Sequence, residues 1–576
     1  MAATDFQVAG RNKQAPFTLK VHRGDGMALL AMNWKKDMPP RDFVGFAIEY
    51  REPKGDRFYA LKNRLGFSAA DGTVNPNALS TRQSPIQKFR WVHFPRNADL
   101  DGDFHYRVTP VFMGADEALS YGESQEAAIE LRRETYPGRL NVAFTRGFVS
   151  SQAFVDNYEK YGAISKLLPA TADKGLTFKA THPRADQALA WMGFEARREI
   201  LAVLDDAVTD TNAQVSVIAY DLNEPLLVSR LQKLGKRLRI IVDDSDAHGK
   251  KGSAEAQAAR RLRKTAGTDN VKRQHVLNLQ HNKLIVVDGP KGKVAVCGST
   301  NFSWRGFYVQ NNNALVLRGA KAIEPFQTAF ENYWAGTPKT FGTTQSAEWA
   351  TLGLTGIDAR VAFSPHSASN SLLGSIARDI GDDTTSSLFF SLAFLYQTPG
   401  PILDSIEELS KRDDVFVRGI SDRKVGGFDF LKPDGNPVPV YPSQLGKDVP
   451  PPFSTEPTGG GGIRLHHKFL VVDFDRPTAR VYLGSYNFSS PADGKNGENL
   501  VLVRDRRIAV SYMIEAVRIC DHYEFRVAQQ AHKKRRRKGK TTPLTLHKPP
   551  VSATADPWWM EDYTEPRKIR DRELFA

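Results

Sequence analysis

Cysteine and long hydrophobic segments are the first features that this sequence lacks. Its 576 residues include only two cysteines, Cys297 and Cys520, which excludes a disulfide framework or a thiolate metal site. No run of about 18 apolar residues is present, so we expect no transmembrane helix. The first residues contain neither the basic nor the apolar region of a signal peptide. We therefore expect a cytoplasmic protein.

Acidic residues are also fewer than basic ones. The 79 lysines and arginines exceed the 65 aspartates and glutamates, which gives a net charge of +14. Residues 533–540 alone supply seven positive charges. Such a run is either a solvated tail or an arm that binds a polyanion, and charge by itself does not distinguish nucleic acid from an anionic membrane.

The length predicts two to four domains. Residues 1–135 contain short runs rich in β-branched and aromatic residues, separated by Gly, Pro, Asn and Asp. They predict a β-rich domain that resembles a fibronectin type III or immunoglobulin-like sandwich. We see no catalytic constellation in it and interpret it as a spacer or recognition module.

From residue 140 onward, helical and strand patterns alternate, which predicts an α/β fold. The order of elements occurs twice, so we place one half at 140–340, a second half at 345–530, and a basic, partly disordered tail at 531–576. The predicted elements of the first half are 187–208 (helix), 215–220 (strand), 224–236 (helix), 238–242 (strand), 254–264 (helix) and 323–334 (helix). Those of the second half are 388–396 (strand), 401–411 (helix), 415–420 (strand) and 508–525 (helix). The polar stretches 335–350 and 431–462 predict a linker and a long loop.

One motif also occurs twice. A histidine, a lysine and an aspartate have identical spacing in both copies, as His281, Lys283 and Asp288 and as His466, Lys468 and Asp473. Each copy is followed by Gly-Ser-x-Asn-Phe-Ser, which contains Ser299 and Asn301 or Ser485 and Asn487. Two motifs that recur in the same order indicate an internal duplication.

The apolar runs after each lysine predict that each motif begins a buried strand. Residues i and i+2 of a strand share a face, so the histidine and lysine of each copy point to one spot. The aspartates fall an odd number of positions later. We include Asp288 and Asp473 among the catalytic residues of the motif, with a supporting role. The serine and asparagine of each downstream motif are again two apart, end the next strand and can join the same spot.

Imidazole, ammonium and carboxamide groups form a poor metal cage but a good site for an oxyanion. An imidazole can attack phosphorus, and a second imidazole can transfer the protons. The sequence therefore predicts no metal ion and no cofactor.

These paired motifs resemble the phospholipase D superfamily over residues 140–530. The resemblance implies two α/β/α halves related by a pseudo-twofold axis, with the active site at their interface. It also implies a metal-independent, two-step phosphodiester exchange through a phosphohistidine. In that scheme His281 is the nucleophile and His466 the general acid and base. The phosphate-binding residues are then Lys283, Lys468, Asn301, Asn487, Ser299 and Ser485.

Two further residues are candidates for orienting the histidines. Glu498 matches an acid of the family that can hold a histidine, and Asn312 occupies the aligned position in the first copy. An amide can bond an imidazole but does not stabilise an imidazolium as a carboxylate does. We therefore expect the two histidines to differ in pKa, or the activity to be reduced.

Three functions fit the sequence. The leading hypothesis is a hydrolase that cleaves the distal phosphodiester of a phospholipid or transfers the phosphatidyl group to an alcohol. The alternative is a nuclease that cuts DNA or RNA with the same residues. The third is a non-catalytic polyanion-binding protein, although intact His, Lys and Asn in both copies argue against it. In each case, residues 533–540 are a candidate contact with an anionic membrane or nucleic acid.

Overall fold

The structure is a computed structural model in which residues 5–69, 71–95, 97–131, 134–147, 158–336, 340–395, 398–421, 465–537 and 545–576 are described. Of residues 526–537 only the backbone is described. The chain forms two compact units. The first contains Met1–Arg133 and Glu524–Ala576, and the second contains Glu134–Phe428 and the chain from Val440 to Tyr523.

The first unit contains two antiparallel sheets that share one buried core. The four-stranded sheet has the order β1-β2-β3-β6, with strands Gln7–Ala9, Phe17–Arg23, Ala28–Trp34 and Arg90–His93. The five-stranded sheet has the order β5-β4-β7-β8, with β9 beside β7. Its strands are Phe43–Arg51 (β4), Tyr59–Ala60 (β5), Asp103–Met113 (β7), Leu119–Tyr121 (β8) and Gln125–Glu130 (β9). Alternating apolar residues such as Phe17, Leu19 and Val21 fill the core because successive side chains of a strand point to opposite faces.

The C-terminal residues pack against these sheets. Trp559 is buried in their core, and Trp558 donates its indole N–H to the carbonyl of Phe43 at 3.0 Å. The short helix Pro566–Phe575 ends with a buried phenylalanine, whose carbonyl lies 2.6 Å from Nε2 of His22. The sequence placed these residues in a partly disordered tail, whereas residues 545–576 are ordered by aromatic burial.

The second unit contains two seven-stranded sheets. In the first, the order is β10-β16-β15-β14-β11-β12-β13. Its strands are Leu140–Phe144 (β10), Gln214–Ala219 (β11), Leu238–Val242 (β12), Val271–Arg273 (β13), Lys283–Asp288 (β14), Lys293–Gly298 (β15) and Asn313–Arg318 (β16). The interiors of the central strands β14 and β15 are apolar and buried, as expected for strands covered on both faces.

The order in the second sheet is β17-β18-β23-β22-β21-β19-β20. Its strands are Ala350–Thr351 (β17), Asp358–Ser364 (β18), Ser387–Leu392 (β19), Phe416–Ile420 (β20), Lys468–Val472 (β21), Arg480–Gly484 (β22) and Glu498–Arg504 (β23). The order β18-β23-β22-β21-β19-β20 repeats the order β10-β16-β15-β14-β11-β12 of the first sheet, with the same parallel and antiparallel pairings. This match agrees with the duplication of the sequence.

The helices of the second unit follow the predicted order. They are Ala185–Thr209 (α1), Pro225–Leu234 (α2), Ala254–Ala266 (α3), Ala320–Ala335 (α4), Leu373–Gly381 (α5), Pro401–Ser410 (α6), Ser490–Gly494 (α7) and Arg506–Arg537 (α8). The sequence prediction missed α5. Helix α8 continues through the basic residues 533–537, while the rest of that run and the predicted loop at 431–462 lie outside the described residues. Within the described chain, no helix has both the length and the apolar character needed to cross a membrane.

A glycine at the end of β15 and another at the end of β22 bring the downstream motifs against the neighbouring strands. Gly298 has φ 132° and Gly484 has φ 142°, a region that favours glycine. A Cβ atom on Gly298 would lie 2.6 Å from the carbonyl oxygen of Asn313, and one on Gly484 would lie 2.2 Å from that of Asn499. The glycine of each Gly-Ser-x-Asn motif is therefore required by its position.

Candidate active site

The two histidines of the repeated motifs lie next to each other. His281 and His466 are buried, and their ring centroids are 6.3 Å apart. Each strand begins at the lysine, so His281 and His466 precede β14 and β21 and do not start them as predicted. The residue before each histidine bridges to the other half, Gln280 to Gly497 and Leu465 to Asn311. These reciprocal bridges hold the ends of the two motifs together.

The lysines lie beside the histidines. Lys283 Nζ donates to the carbonyl of His281, and Lys468 Nζ donates to the carbonyl of His466 at 2.7 Å. Both ammonium groups are buried, and burial lowers the pKa of Lys283 to about 7 and that of Lys468 well below its usual value. A bound phosphate would stabilise the charged form of each lysine.

Each histidine is held by a residue of the opposite half. Nδ1 of His281 lies 2.7 Å from Oε2 of Glu498, and Nδ1 of His466 lies 2.8 Å from Oδ1 of Asn312. Because Glu498 and Asn312 accept hydrogen bonds through these oxygens, Nδ1 carries the proton and Nε2 is left with a lone pair. The structure thus brings together both predicted orienting residues, in a crossed arrangement that the sequence did not reveal.

The two histidines have different electrostatic surroundings. Burial lowers the pKa of His281, and the charge of Glu498 opposes this decrease. Burial lowers the pKa of His466 further, and Lys468, Lys283, His281 and Arg305 add to that decrease. Burial would raise the pKa of Glu498, but the His281 charge, its hydrogen bond and Lys283 outweigh burial and lower it. The predicted difference between the histidines therefore follows from Glu498 on one side and a neutral amide on the other.

The predicted role of the serines is not supported by their contacts. Ser299 Oγ donates to Oδ1 of Asn312 at 3.0 Å and accepts from the backbone N–H of Asn313. Ser485 Oγ accepts from the backbone N–H of Asn499 and hydrogen-bonds Glu498. Both hydroxyls thus hold the residues that orient the histidines, which corrects their assignment as phosphate ligands.

The two asparagines retain free hydrogen-bonding groups. Asn301 Nδ2 donates to Oδ2 of Asp221 at 2.9 Å, while its Oδ1 has no partner among the described residues. Oδ1 of the half-buried Asn487 likewise has no partner in the described chain. These free oxygens are acceptors, so only the amide N–H groups of Asn301 and Asn487 could bind a phosphate oxygen, and that role stays a prediction.

The aspartates of the repeated motifs do not reach the histidines. Asp288 ends β14, about 17 Å along the strand from Lys283, where it binds Lys293 and Gln327. Asp473 is buried and accepts backbone N–H bonds from Thr385, Ser386 and Ser387. Their assignment as catalytic residues is therefore wrong, since both aspartates stabilise the fold and neither contacts a histidine of the site.

Replacing Asp473 with asparagine should destabilise the second unit by about 3 kcal/mol, because buried backbone donors lose a charged acceptor. Asp288→Asn is the matched control. It removes only a half-exposed ion pair and should cost less than about 1 kcal/mol. Urea unfolding of both variants measures the difference. Equal losses would contradict the structural role of Asp473.

Sequence reasoning missed two aromatic side chains. Tyr220 follows β11, and its ring centroid lies 4.7 Å from that of His281 and 4.8 Å from Lys283 Nζ. Phe394 follows β19, and its ring lies 6.3 Å from that of His466 and 5.5 Å from Lys468 Nζ. Each histidine–lysine pair therefore has one half-buried aromatic neighbour. An aromatic residue one or two positions after each of the matching strands β11 and β19 was the available signal.

Comparison with known proteins agrees with this geometry. The family model for a cardiolipin synthase, phospholipase D-like domain matches residues 194–334, which contain the first repeated motif. The phospholipase D of Rickettsia prowazekii is 40% identical over 48 residues, which is 8% of this chain and 22% of that protein. Within residues 194–334 the chain is therefore similar to phospholipase D-like domains. The phospholipase D of Rickettsia felis is 38% identical over the same length, so the chain spans about a fifth of these curated relatives.

The solved structures that are similar to this chain are more distant. The phosphatidylserine synthase of Haemophilus influenzae Rd KW20 has a TM-score of 0.40 and 13% identity, over 60% of this chain and 92% of that one. Nuc of Salmonella typhimurium, described as a phospholipase D family member, has a TM-score of 0.20 and 22% identity, over 24% of this chain and 87% of that one. These likenesses are too low to inform substrate or mechanism.

Proposed function

We propose that this protein is a phosphodiesterase that works through a phosphohistidine, with His281 as nucleophile and His466 as general acid and base. The observation that carries this proposal is the pair of facing imidazoles. Both are buried, and a residue of the opposite half holds each Nδ1 and leaves Nε2 available. We further propose that a pseudo-twofold axis relates the two halves and that the N-terminal unit is an immunoglobulin- or fibronectin-like sandwich. The matched strand orders and the shared core support these assignments.

The reaction takes place in two steps. Nε2 of His281 attacks phosphorus, the bond to the leaving alcohol breaks, and the Nε2 proton of His466 passes to that oxygen. In the second step His466 takes a proton from water or an acceptor alcohol, whose oxygen attacks phosphorus and breaks the N–P bond. Lys283, Lys468, Asn301 and Asn487 donate to the non-bridging oxygens, where charge develops.

Glu498 determines which histidine attacks. The attacking imidazole gains positive charge as the N–P bond forms, and a buried carboxylate stabilises that charge more than an amide does. His281 has the carboxylate and His466 has the amide. The chemistry at phosphorus requires no metal ion.

A phospholipid is the substrate that we propose first. The half-buried rings of Tyr220 and Phe394 place apolar surface beside the two lysines, which suits a phosphate attached to an apolar group. Two features favour the alternative, a nuclease. The basic residues 533–537 of α8 can bind the phosphates of a nucleic acid, and the same aromatic rings can stack on its bases.

A parallel assay separates these substrates. Phosphatidylcholine vesicles and single- and double-stranded DNA are incubated with the wild-type protein and with His281→Asn and His466→Asn. Release of choline that both variants lose would support the lipase, and DNA cleavage that both lose would support the nuclease. The covalent adduct should form in the presence of chelator. Absence of turnover on every substrate would contradict the proposal.

The reaction should have an acidic pH optimum. Catalysis requires neutral His281 and protonated His466. Because the pKa of His466 is the lower of the two, activity falls as pH decreases through the pKa of His466 and as it increases through that of His281. Both values lie below the usual 6.5, because of burial and the nearby cations. We expect the maximum of kcat/KM below pH 6.5, measured on the substrate that is turned over. An optimum above pH 7 would contradict these shifts.

Replacing Asn312 with aspartate should shift this profile. A carboxylate on Nδ1 stabilises the imidazolium of His466 and raises its pKa, which moves the acidic limb of kcat/KM to higher pH. The alkaline limb, set by His281, is the internal control and should stay in place. A profile in which both limbs move together would argue against separate roles for the two histidines.

A further inference from the structure

A second cluster of polar side chains lies in the first half, beside the candidate active site. Asp221 comes two residues after β11, His248 lies in the turn after β12, and Glu255 is in the first turn of α3. One nitrogen or oxygen atom from each of these side chains lies within 4.8 Å of the other two. This set contains the donor types that bind first-row divalent metals.

The geometry of His248 fits a metal ligand. Its Nδ1 lies 2.8 Å from Oδ2 of Asp243, and its Nε2 faces Asp221, so each ring nitrogen donates to a carboxylate. A metal ion would replace the proton on Nε2, while Asp243 would keep the proton on Nδ1. Nε2 lies 3.3 Å from Oδ1 of Asp221. Two zinc bonds of about 2.0–2.1 Å at a tetrahedral angle place their donor atoms roughly 3.3–3.4 Å apart. A carboxylate behind a histidine is the usual second contact of such a ligand.

The charge of the cluster points to a cation as well. Asp243 and Glu255 are buried and Asp221 is nearly so, yet no lysine or arginine side chain hydrogen-bonds their carboxylates among the described residues. Their donors are His248, backbone N–H groups and neutral side chains. Buried carboxylates normally pair with a cation or bind a metal. Here His248 is the directly bonded cation, and the charges of Lys283, Arg305 and Arg273 act on the carboxylates without a hydrogen bond.

We propose that Asp221, His248 and Glu255 bind one divalent transition-metal ion of the zinc class, with a fourth position open to water. The side chains of Asp221 and His248 are 16% and 17% exposed, which allows an ion to enter from solvent. Zinc suits one imidazole and two carboxylates, whereas calcium and magnesium prefer six or more oxygen ligands.

In this proposal the ion positions Asn301 and the backbone before His281, and it does not contact the phosphate of the substrate. The second oxygen of Asp221, Oδ2, accepts from Nδ2 of Asn301 at 2.9 Å and from Oγ of Ser303 at 3.3 Å. Asp243 Oδ1 accepts from the backbone N–H of Gln280 at 2.7 Å, directly before His281. A bound ion would therefore hold Asn301 through Asp221, and the backbone of Gln280 through His248 and Asp243, next to the pair His281 and Lys283. Its removal should slow turnover but still allow the covalent adduct to form.

The test uses the full-length protein, zinc ions as the probe, and no substrate. Protein is stripped with chelator, incubated with excess zinc, desalted, and analysed by mass spectrometry for metal content. We expect one zinc per chain, a melting temperature that chelator lowers, and at least a tenfold loss of zinc in both His248→Gln and Glu255→Gln. Circular dichroism confirms that the variants are folded.

His275→Gln is the matched control, because His275 is a half-exposed histidine that pairs with Asp244 outside the cluster. It should retain one zinc per chain. Two results would overturn the proposal: wild-type protein that holds no more zinc than His248→Gln, or a melting temperature that chelator does not change. His248 would then be only an ion-pair partner of Asp221 and Asp243. Since neither readout requires turnover, failure of the proposed phosphodiesterase activity would not affect this result.

Discussion

Replacing His281 with glutamine should abolish the covalent intermediate and reduce kcat/KM by roughly 10⁴-fold, because the nucleophile is lost while the fold keeps a side chain of similar size. Replacing His466 with glutamine should reduce turnover by roughly 10²–10⁴-fold, because the leaving oxygen and the incoming water lose their proton carrier. A substrate whose leaving group needs no protonation should still react in the second variant. Its phosphohistidine should then accumulate, since hydrolysis is the step that is blocked.

The measurement uses such a substrate with a radioactive phosphorus, followed by denaturation and acid and alkali treatment of the labelled protein. Phosphohistidine survives alkali and not acid. His467→Gln is the matched control: this neighbouring buried histidine pairs with Glu515, and its loss should affect stability and not labelling. Label in His281→Gln and none in His466→Gln would reverse the two roles. Unchanged turnover in both His281→Gln and His466→Gln would rule out the proposed mechanism.

Glu498→Gln should have the next largest effect, a decrease in kcat of roughly 10²–10³-fold. The amide keeps the shape of the side chain but does not stabilise the charge that His281 acquires when it attacks phosphorus. It also lowers the pKa of His281 further, so the alkaline limb of kcat/KM should move to lower pH. Steady-state kinetics over a pH series measures both changes.

Glu515→Gln is the control for this variant. Glu515 is also a buried carboxylate bonded to a histidine, at 3.0 Å from Nε2 of His467, but that pair does not face the reacting imidazoles. Its replacement should lower the melting temperature and leave kcat within about threefold of wild type. If the two glutamine variants lost turnover equally, Glu498 would be important for stability alone.

Much of the fold was readable from the sequence because the second unit consists of short apolar strands and amphipathic helices. The predicted strand at 238–242 has the observed limits, and the predicted helices at 187–208 and 254–264 end within two residues of the observed ones. Helix α5 was missed. Residues 545–576 were included in a partly disordered tail because of their charges, although aromatic side chains such as Trp559 pack them against the sheets.

The errors at the site have one cause. Asp288 and Asp473 are part of the repeated motif, but a strand of five or six residues separates them from the lysines. Ser299 and Ser485 lie near the site, but their hydroxyl groups are used by residues from the next strand. Spacing along a strand indicates which side chains share a face, and it does not indicate which hydrogen bond each side chain makes.

The sequence by itself determined that the chain is duplicated, that two histidine–lysine pairs exist, and that Glu498 has only an amide counterpart in Asn312. These facts are local, because they depend on spacing within one half. Tertiary structure decided that Glu498 holds His281 and Asn312 holds His466, and that Asp221, His248 and Glu255 converge beside Asn301. Those contacts join residues that are far apart in the chain, and only the packing of strands and helices brings them together.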